Sequence, residues 1–420
     1  MSTWFRIWLT LAVVIGLVWL VRYAKMGRIL RKRKVLSSHS YNDPPEDAPK
    51  VSILIAAKDE EDNVEACIND LLEQDYPDYE LIVVDDRSRD RTPDILRRLE
   101  QQAAGRLRVV TVTALRDGWF GKNNAMREGV EASCGDWLLF TDADCRQTSR
   151  KTLSIAMREA LSHDSDFLSV IPVLETRTTW ERIIQPVCTL ALMIWFLPHR
   201  VNRPWRKTAY ANGAFMLMRR SCYEAIGGHE RVRTKVNEDI QMARFAKQMG
   251  LRLRVVENDD LYRTRMYDSP LAAWRGWSRI FYGCLGSLTR LSSAASVLIL
   301  LSIVPWVSLI TALTGLVLAD VSSVRLWAFA ACVWLVVVVL EQLVTWRVYA
   351  VLRVEPVWSL TYVLGAIVTL GMLVNAMFKT IGATGTTWRG TTYIRRHSQV
   401  CVIESTPPSP KEMGHPRALP

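Results

Sequence analysis

Residues 81–86 read LIVVDD, and residues 137–144 read WLLFTDAD. Each is a short apolar run that ends in acids, the pattern of a strand covered on both faces rather than one half-exposed to water. VSILI (51–55) and LRVVTV (107–112) repeat the pattern. Helical spacing fills the gaps: Val64, Cys67, Ile68, Leu71 and Leu72 recur within residues 61–74. Thr92 is expected as the N-cap of a second helix, with Pro93 in its first turn and Ile95, Leu96 and Leu99 as its inner face. This alternation predicts an α/β domain with a mainly parallel sheet, which takes its ligand beyond the carboxyl ends of the strands.

Acids stand at those ends. Asp85 and Asp86 close one strand, and Asp142 and Asp144 follow another. A Mg2+ or Mn2+ ion binds through one or two carboxylates together with substrate phosphate oxygens, which Asp-x-Asp on a short turn can supply. A solvated turn is the competing reading. Asn237, Glu238 and Asp239 precede a helix in which Ile240, Ala243 and Met249 are expected to face inward, with Gly250 as its C-terminal cap. Carboxylates at a helix start are favoured by capping and by the helix dipole. The chemical reading is that one of them takes the proton from an attacking hydroxyl.

The 420 residues, 49% apolar, exceed what a soluble core uses. Residues 7–21 are apolar throughout and read as an anchor helix. A basic stretch (Arg22, Lys25, Arg28, Arg31, Lys32, Arg33, Lys34) follows it where a signal peptide would carry a small-residue cleavage site. Apolar stretches at 294–318, 326–344 and 357–377 read as further spans. The basic flank places residues 34–291 in the cytoplasm of a multi-pass membrane protein, while the side of the tail stays open. Residues 1–34 are thus read as anchor and flank, 35–50 as linker, 51–283 as the catalytic domain, 284–380 as the membrane region and 381–420 as a tail. The Pro-rich end from Thr406 is expected to be disordered. The net charge of +11 is concentrated beside the first span, so a membrane is the expected partner and nucleic acid is not. The eight cysteines contain no CxxC pair, which implies neither a disulfide framework nor a zinc site. Residues 183–197 read either as an interfacial helix or as a core helix.

Seven segments occur in a telling order: AAKDEE (56–61), VVDDRSRDRT (83–92), DGWFGKNNA (117–125), TDAD (141–144), NGAFMLMRR (212–220), AIGGHE (225–230) and NEDI (237–240). Together they resemble a family 2 glycosyltransferase of the GT-A fold, most like membrane-bound lipid glycosyltransferases of the ceramide glucosyltransferase and hopanoid-associated kind. The resemblance implies a nucleotide-sugar donor, a UDP-sugar, and inverting transfer to a lipid acceptor by direct displacement. It implies that Ala57, Glu60 and Asp86 meet uridine and ribose and that Lys122 lies beside the nucleotide. Asp142 and Asp144 would bind metal and diphosphate, Asp144 more directly, and Asp239 would be the base beside Glu238.

Several departures bear on this. Ala56 stands where proline is usual, and Lys58 with Asp59 where Arg-Asn is usual. In WRGWSRIFYG (274–283) only Arg279 remains of the Gln-x-x-Arg-Trp motif of processive synthases, so a processive polysaccharide synthase is the second reading. Arg279, Arg265 or His229 would neutralise the leaving diphosphate, and Arg275 is read as touching headgroups. Gly227 and Gly228 form a turn that would also let backbone approach a sugar. Trp119 and Phe120 are either core or a sugar-stacking pair. A dehydrogenase is excluded, because no Gly-rich turn follows the first strand.

Overall fold

In the computed structural model, described for residues 2–31, 33–41, 43–384, 386–388, 391–396 and 399–404, the chain opens with helix α1 (Thr3–Arg31) and a two-residue strand, β1 (Val35–Leu36). There follow β2 (Val51–Ala57), α2 (Val64–Leu72), β3 (Tyr79–Asp86), α3 (Thr92–Gln102), β4 (Leu107–Val112), α4 (Gly121–Glu131), β5 (Trp137–Asp142), β6 (Cys145–Gln147), α5 (Thr152–Ser162), β7 (Phe167–Ile171) and β8 (Val173–Leu174). Next come α6 (Thr179–Met193), α7 (Pro198–Val201), β9 (Met216–Arg219), α8 (Arg220–Ala225), α9 (Gly228–Val232), α10 (Glu238–Gln248), β10 (Leu253–Asn258), β11 (Tyr262–Thr264) and α11 (Pro270–Leu285). The chain ends in α12 (Leu288–Leu298), α13 (Val304–Val317), α14 (Val324–Val351) and α15 (Tyr362–Thr380), then strands β12 (Thr386–Trp388), β13 (Thr391–Arg396) and β14 (Gln399–Glu404).

The central sheet has eight strands in the order β1-β10-β7-β9-β5-β2-β3-β4. Only β9 runs antiparallel to its neighbours, so the sheet is mainly parallel as its sequence predicts. Alternate residues of each central strand enter different cores. Ile53, Leu81, Val83 and Leu139 pack with α2, α3 and α5 on one face, whereas Leu54, Ile82, Val84 and Phe140 pack with α4 and α10 on the other. The two-residue period therefore puts Asp86 and Asp142 on the second face. A small sheet, β6-β11-β8, roofs the carboxyl end of β5.

Several boundaries differ from the sequence reading. The expected linker contains β1, paired in parallel with β10, because two residues are too few to show a period. Arg33 of the basic flank pairs with Glu257, and Lys34 lies 3.6 Å from Glu159, so these cations hold the catalytic domain instead of facing lipid. Thr92 is the first helical residue of α3 and not its cap; its hydroxyl accepts the Glu60 amide at 2.9 Å. Met249 is 49% exposed rather than inward, since α10 stops at Gln248 and Gly250 follows with φ +76°. The expected boundary at 283 falls inside α11. The tail contains the antiparallel sheet β12-β13-β14, and the Pro-rich end expected to be disordered lies outside the described residues.

Among the described residues five helical stretches are long and apolar enough to cross a membrane: Thr3–Arg28, Thr179–Val201, Leu288–Val317, Val324–Val351 and Pro356–Thr380. Four match the expected spans. The other contains α6, which packs along α15 with Ile184, Val187, Cys188 and Leu192 buried. The contact is close because Gly365 has no side chain: a Cβ there would lie 2.3 Å from the Ile183 carbonyl oxygen. Gly365→Ala is expected to push α6 and α15 apart and destabilise the chain by about 1–3 kcal/mol, read as a lower midpoint of thermal unfolding in detergent.

Candidate active site

A cleft of about 1320 Å³ opens beyond the carboxyl ends of β2 and β5, and Glu60, Asp142, Asp144, Glu238 and Asp239 are among the acids in its wall. They come from three places. Glu60 lies in the loop after β2, the Asp142-x-Asp144 turn leaves β5, and Glu238 with Asp239 opens α10. Lys122, in the first turn of α4, joins two of these groups, its Nζ lying 2.7 Å from Asp142 Oδ1 and 2.9 Å from Glu238 Oε1. Burial pulls the Lys122 pKa down, but the two carboxylates outweigh it and hold it well above the ordinary lysine value.

Asp239 is held by backbone. Its Oδ2 accepts the Gly213 amide at 3.0 Å and its Oδ1 the Ile240 amide at 2.7 Å. A Cβ at Gly213 would stand 3.3 Å from Lys122 Nζ and 3.6 Å from Asp239 Oδ2, so the chain passes close to both groups here. Burial first, then the Glu238 charge, raises the Asp239 pKa to about 7 despite those hydrogen bonds. Asp144 is likewise raised to about 7, by burial and then by Asp142 and Glu60. Converging carboxylates that resist full ionisation are the donor set a hard divalent cation takes. Among the described residues no cluster of three or more His, Cys, Asp or Glu could hold a metal by itself, so substrate oxygens would have to complete the shell.

The other expected site residues divide. Arg279 lines the cleft, as does Arg275, which the sequence reading gave to lipid headgroups. Arg265 lines it too but is paired with Glu181 at 2.9 Å. Ala57 and Asp86 are wholly buried and absent from the wall; Ala56 takes the place of Ala57, and Asp86 is engaged by Arg87 at 2.8 and 3.1 Å. His229 does not reach the cleft. It is 1% exposed beneath Phe140, and the Tyr223 hydroxyl, 3.0 Å from its Nδ1, accepts its backbone amide. Burial, then the Lys122 charge, depresses its pKa to about 3, which leaves a neutral packing residue in place of the expected phosphate ligand. Gly227 and Gly228 serve the turn into α9, both at positive φ, and lie outside the cleft wall. Phe120 lines the cleft, whereas Trp119 is core with Arg127 over its ring at 5.6 Å.

Sequence reasoning missed Gly213, Gln185 and Trp277, all in the cleft wall. Gly213 lay within a recognised motif but had no assigned role, and Gln185 lay in the 183–197 stretch read as an interfacial or core helix.

Residues 52–227, the segment that carries β2 to β9 and both Asp142 and Asp144, match the model of glycosyl transferase family 2. The chain carries a family 2 glycosyltransferase domain. It is 24% identical over 232 residues to a 4,4'-diaponeurosporenoate glycosyltransferase of Staphylococcus aureus (strain USA300), covering 54% of this chain. The matched region spans 60% of that relative's length. A mannosyltransferase of Pyrobaculum calidifontis, solved in complex with GDP-Man and Mn2+, superposes with a TM-score of 0.52 at 19% identity, over 90% of this chain and 99% of that one. The fold of the family 2 domain is GT-A.

Proposed function

We propose that the protein is an inverting glycosyltransferase that moves a sugar from a nucleotide-sugar donor, a UDP-sugar, to the hydroxyl of a lipid acceptor at the cytoplasmic face of a membrane. One observation carries this reading: the acidic groups and the apolar helices share a single cleft. Its wall runs from Asp142, Asp144 and Asp239 to α6, α11 and the residues that end α14, and α6 and α14 belong to stretches long enough to span a bilayer. A donor with a charged diphosphate and an acceptor with an apolar tail can therefore meet in one place.

Asp142 and Asp144 would hold Mg2+ or Mn2+, which when bound offsets the charge that develops on the departing nucleoside diphosphate. Glu60 faces the nucleoside end of the donor, beside Ala56, and Lys122 and Arg279 supply positive charge to its phosphates. Asp239 accepts the proton of the acceptor hydroxyl as that oxygen attacks the anomeric carbon. The Gly213 and Ile240 amides hold the carboxylate in place, and Glu238 is kept from competing by its contact with Lys122. A base near neutrality matches the ambient pH. The pairing of Arg33, just after α1, with Glu257 supports an anchor that keeps the cleft near the headgroups and confines the search for the acceptor to the surface.

Membranes containing the protein, incubated with radiolabelled UDP- and GDP-sugars, are expected to yield an organic-soluble product of low mass that carries one or very few sugars. A water-soluble polymer of high mass, degraded by glycosidase, would replace this reading with that of a processive synthase.

A further inference from the structure

Gln185 lies in the cleft wall, is 1% exposed, and has no hydrogen-bond partner for either its amide nitrogen or its amide oxygen. Trp277 lines the same cleft from α11, is 3% exposed, and its indole N–H is also unpartnered. A buried polar group left unsatisfied keeps its full desolvation penalty, and Gln185 leaves two such groups. The surroundings give no relief. Gln185 lies between Ile184 and Pro186 on α6, and Ile184 belongs to an apolar cluster that also holds Trp277 and Phe281. Thr189 and Leu192 continue the same wall along α6, and Phe196 follows just beyond its end.

We infer that Gln185 and Trp277 form the polar end of an acceptor subsite and take the head group of an amphiphile that bears an uncharged hydroxyl or carbonyl next to the glycosylated oxygen. The inference rests on the glycosyl-transfer reading above and adds where and how the acceptor binds. An amide supplies both a donor and an acceptor, and an indole supplies one donor, so the pair reads a neutral polar group and offers no charge to a phosphate. Lys122 and the Asp142-x-Asp144 turn, which suit the diphosphate, come from other elements of the cleft, and Arg279, on α11 with Trp277, supplies charge that neither Gln185 nor the indole offers. The long, unbranched Gln185 side chain turns its amide onto the ligand by rotation about its own torsions, while the apolar residues of α6 lie along the acyl or prenyl chain. Complete burial without a partner is then the resting state of a group that is satisfied only when acceptor is bound.

The test uses the full chain in detergent micelles, with organic-soluble lipids extracted from the host membranes as acceptor at graded mole fractions. Gln185→Leu keeps the volume and removes both polar groups, and Trp277→Phe keeps an aromatic ring and removes the N–H. For Gln185→Leu the half-saturating amount of extract is expected to rise about tenfold, the upper end for one lost hydrogen bond, with the rate at saturation near wild type. Trp277→Phe should shift it in the same direction by less. Donor binding in the presence of Mn2+ should be unchanged, and the thermal midpoint of Gln185→Leu should equal or exceed that of wild type. Unchanged half-saturation in both variants overturns the inference, as does a parallel loss of donor binding and stability, which marks a structural residue. Failure of the wild type to label any lipid refutes the glycolipid reading itself, and the subsite falls with it.

Discussion

Asp144→Ala is expected to lower sugar transfer by about two to three orders of magnitude, the scale on which removal of one electrostatic stabiliser of transition-state charge is felt. Metal-dependent donor binding should be lost with it, and chelation should reproduce the effect in the wild type. The fold should survive. Asp144 lies on a turn beyond β5 and supports no core packing, since the apolar contacts of that strand are made by Leu138, Leu139 and Phe140. Stability gives a second readout whose sign follows from the raised pKa. The folded chain holds the Asp144 proton more tightly than the unfolded chain, so this group stabilises fully below the ordinary carboxyl pKa, about 3.9. That contribution is lost as pH rises through about 7. In chelator, the thermal midpoint of the variant should therefore gain on the wild type between these values and stay level above them. Full activity of Asp144→Ala would remove the assignment of this carboxylate to the metal.

Asp239→Asn keeps the shape of the side chain and an oxygen to accept the Gly213 amide, but it removes the basic carboxylate. The rate should fall by about two to four orders of magnitude, the range for loss of a general base, while donor affinity stays near wild type. In the wild type, kcat/KM should decline on acidification with a midpoint near the Asp239 pKa, about 7, because the protonated carboxyl cannot accept the acceptor's proton. The variant should lose that acid limb. An equal loss of donor binding would instead give Asp239 a structural part at the start of α10.

Why the acids were legible and their neighbours were not has a physical basis. A parallel sheet covered on both faces needs uninterrupted apolar strands, so LIVV and WLLF show themselves at once, and their ends are where ligands bind. Four acids named from those ends and from NEDI line the cleft with Glu60: Asp142, Asp144, Glu238 and Asp239. Asp86 and Ala57 obey the same strand logic yet lie behind the wall, because the position of a strand end does not tell which side chain the following loop covers. His229 looked available as a lone polar residue near the acids. Its burial under Phe140 arises from the turn at Gly227 and Gly228, which tucks α9 against the sheet.

The sequence by itself determined the sheet type, the acids that stand in the cleft wall and, among the described residues, four of the five long apolar helices, since each is written in a local period or a short motif. Only the tertiary structure decided that Lys122 bridges Asp142 and Glu238, that Gly213 anchors Asp239, and that α6 brings an unpartnered Gln185 to the same cleft. These relations join residues that lie far apart along the chain. Which side chain finds a partner, and which is buried without one, depends on packing between elements that no local pattern records.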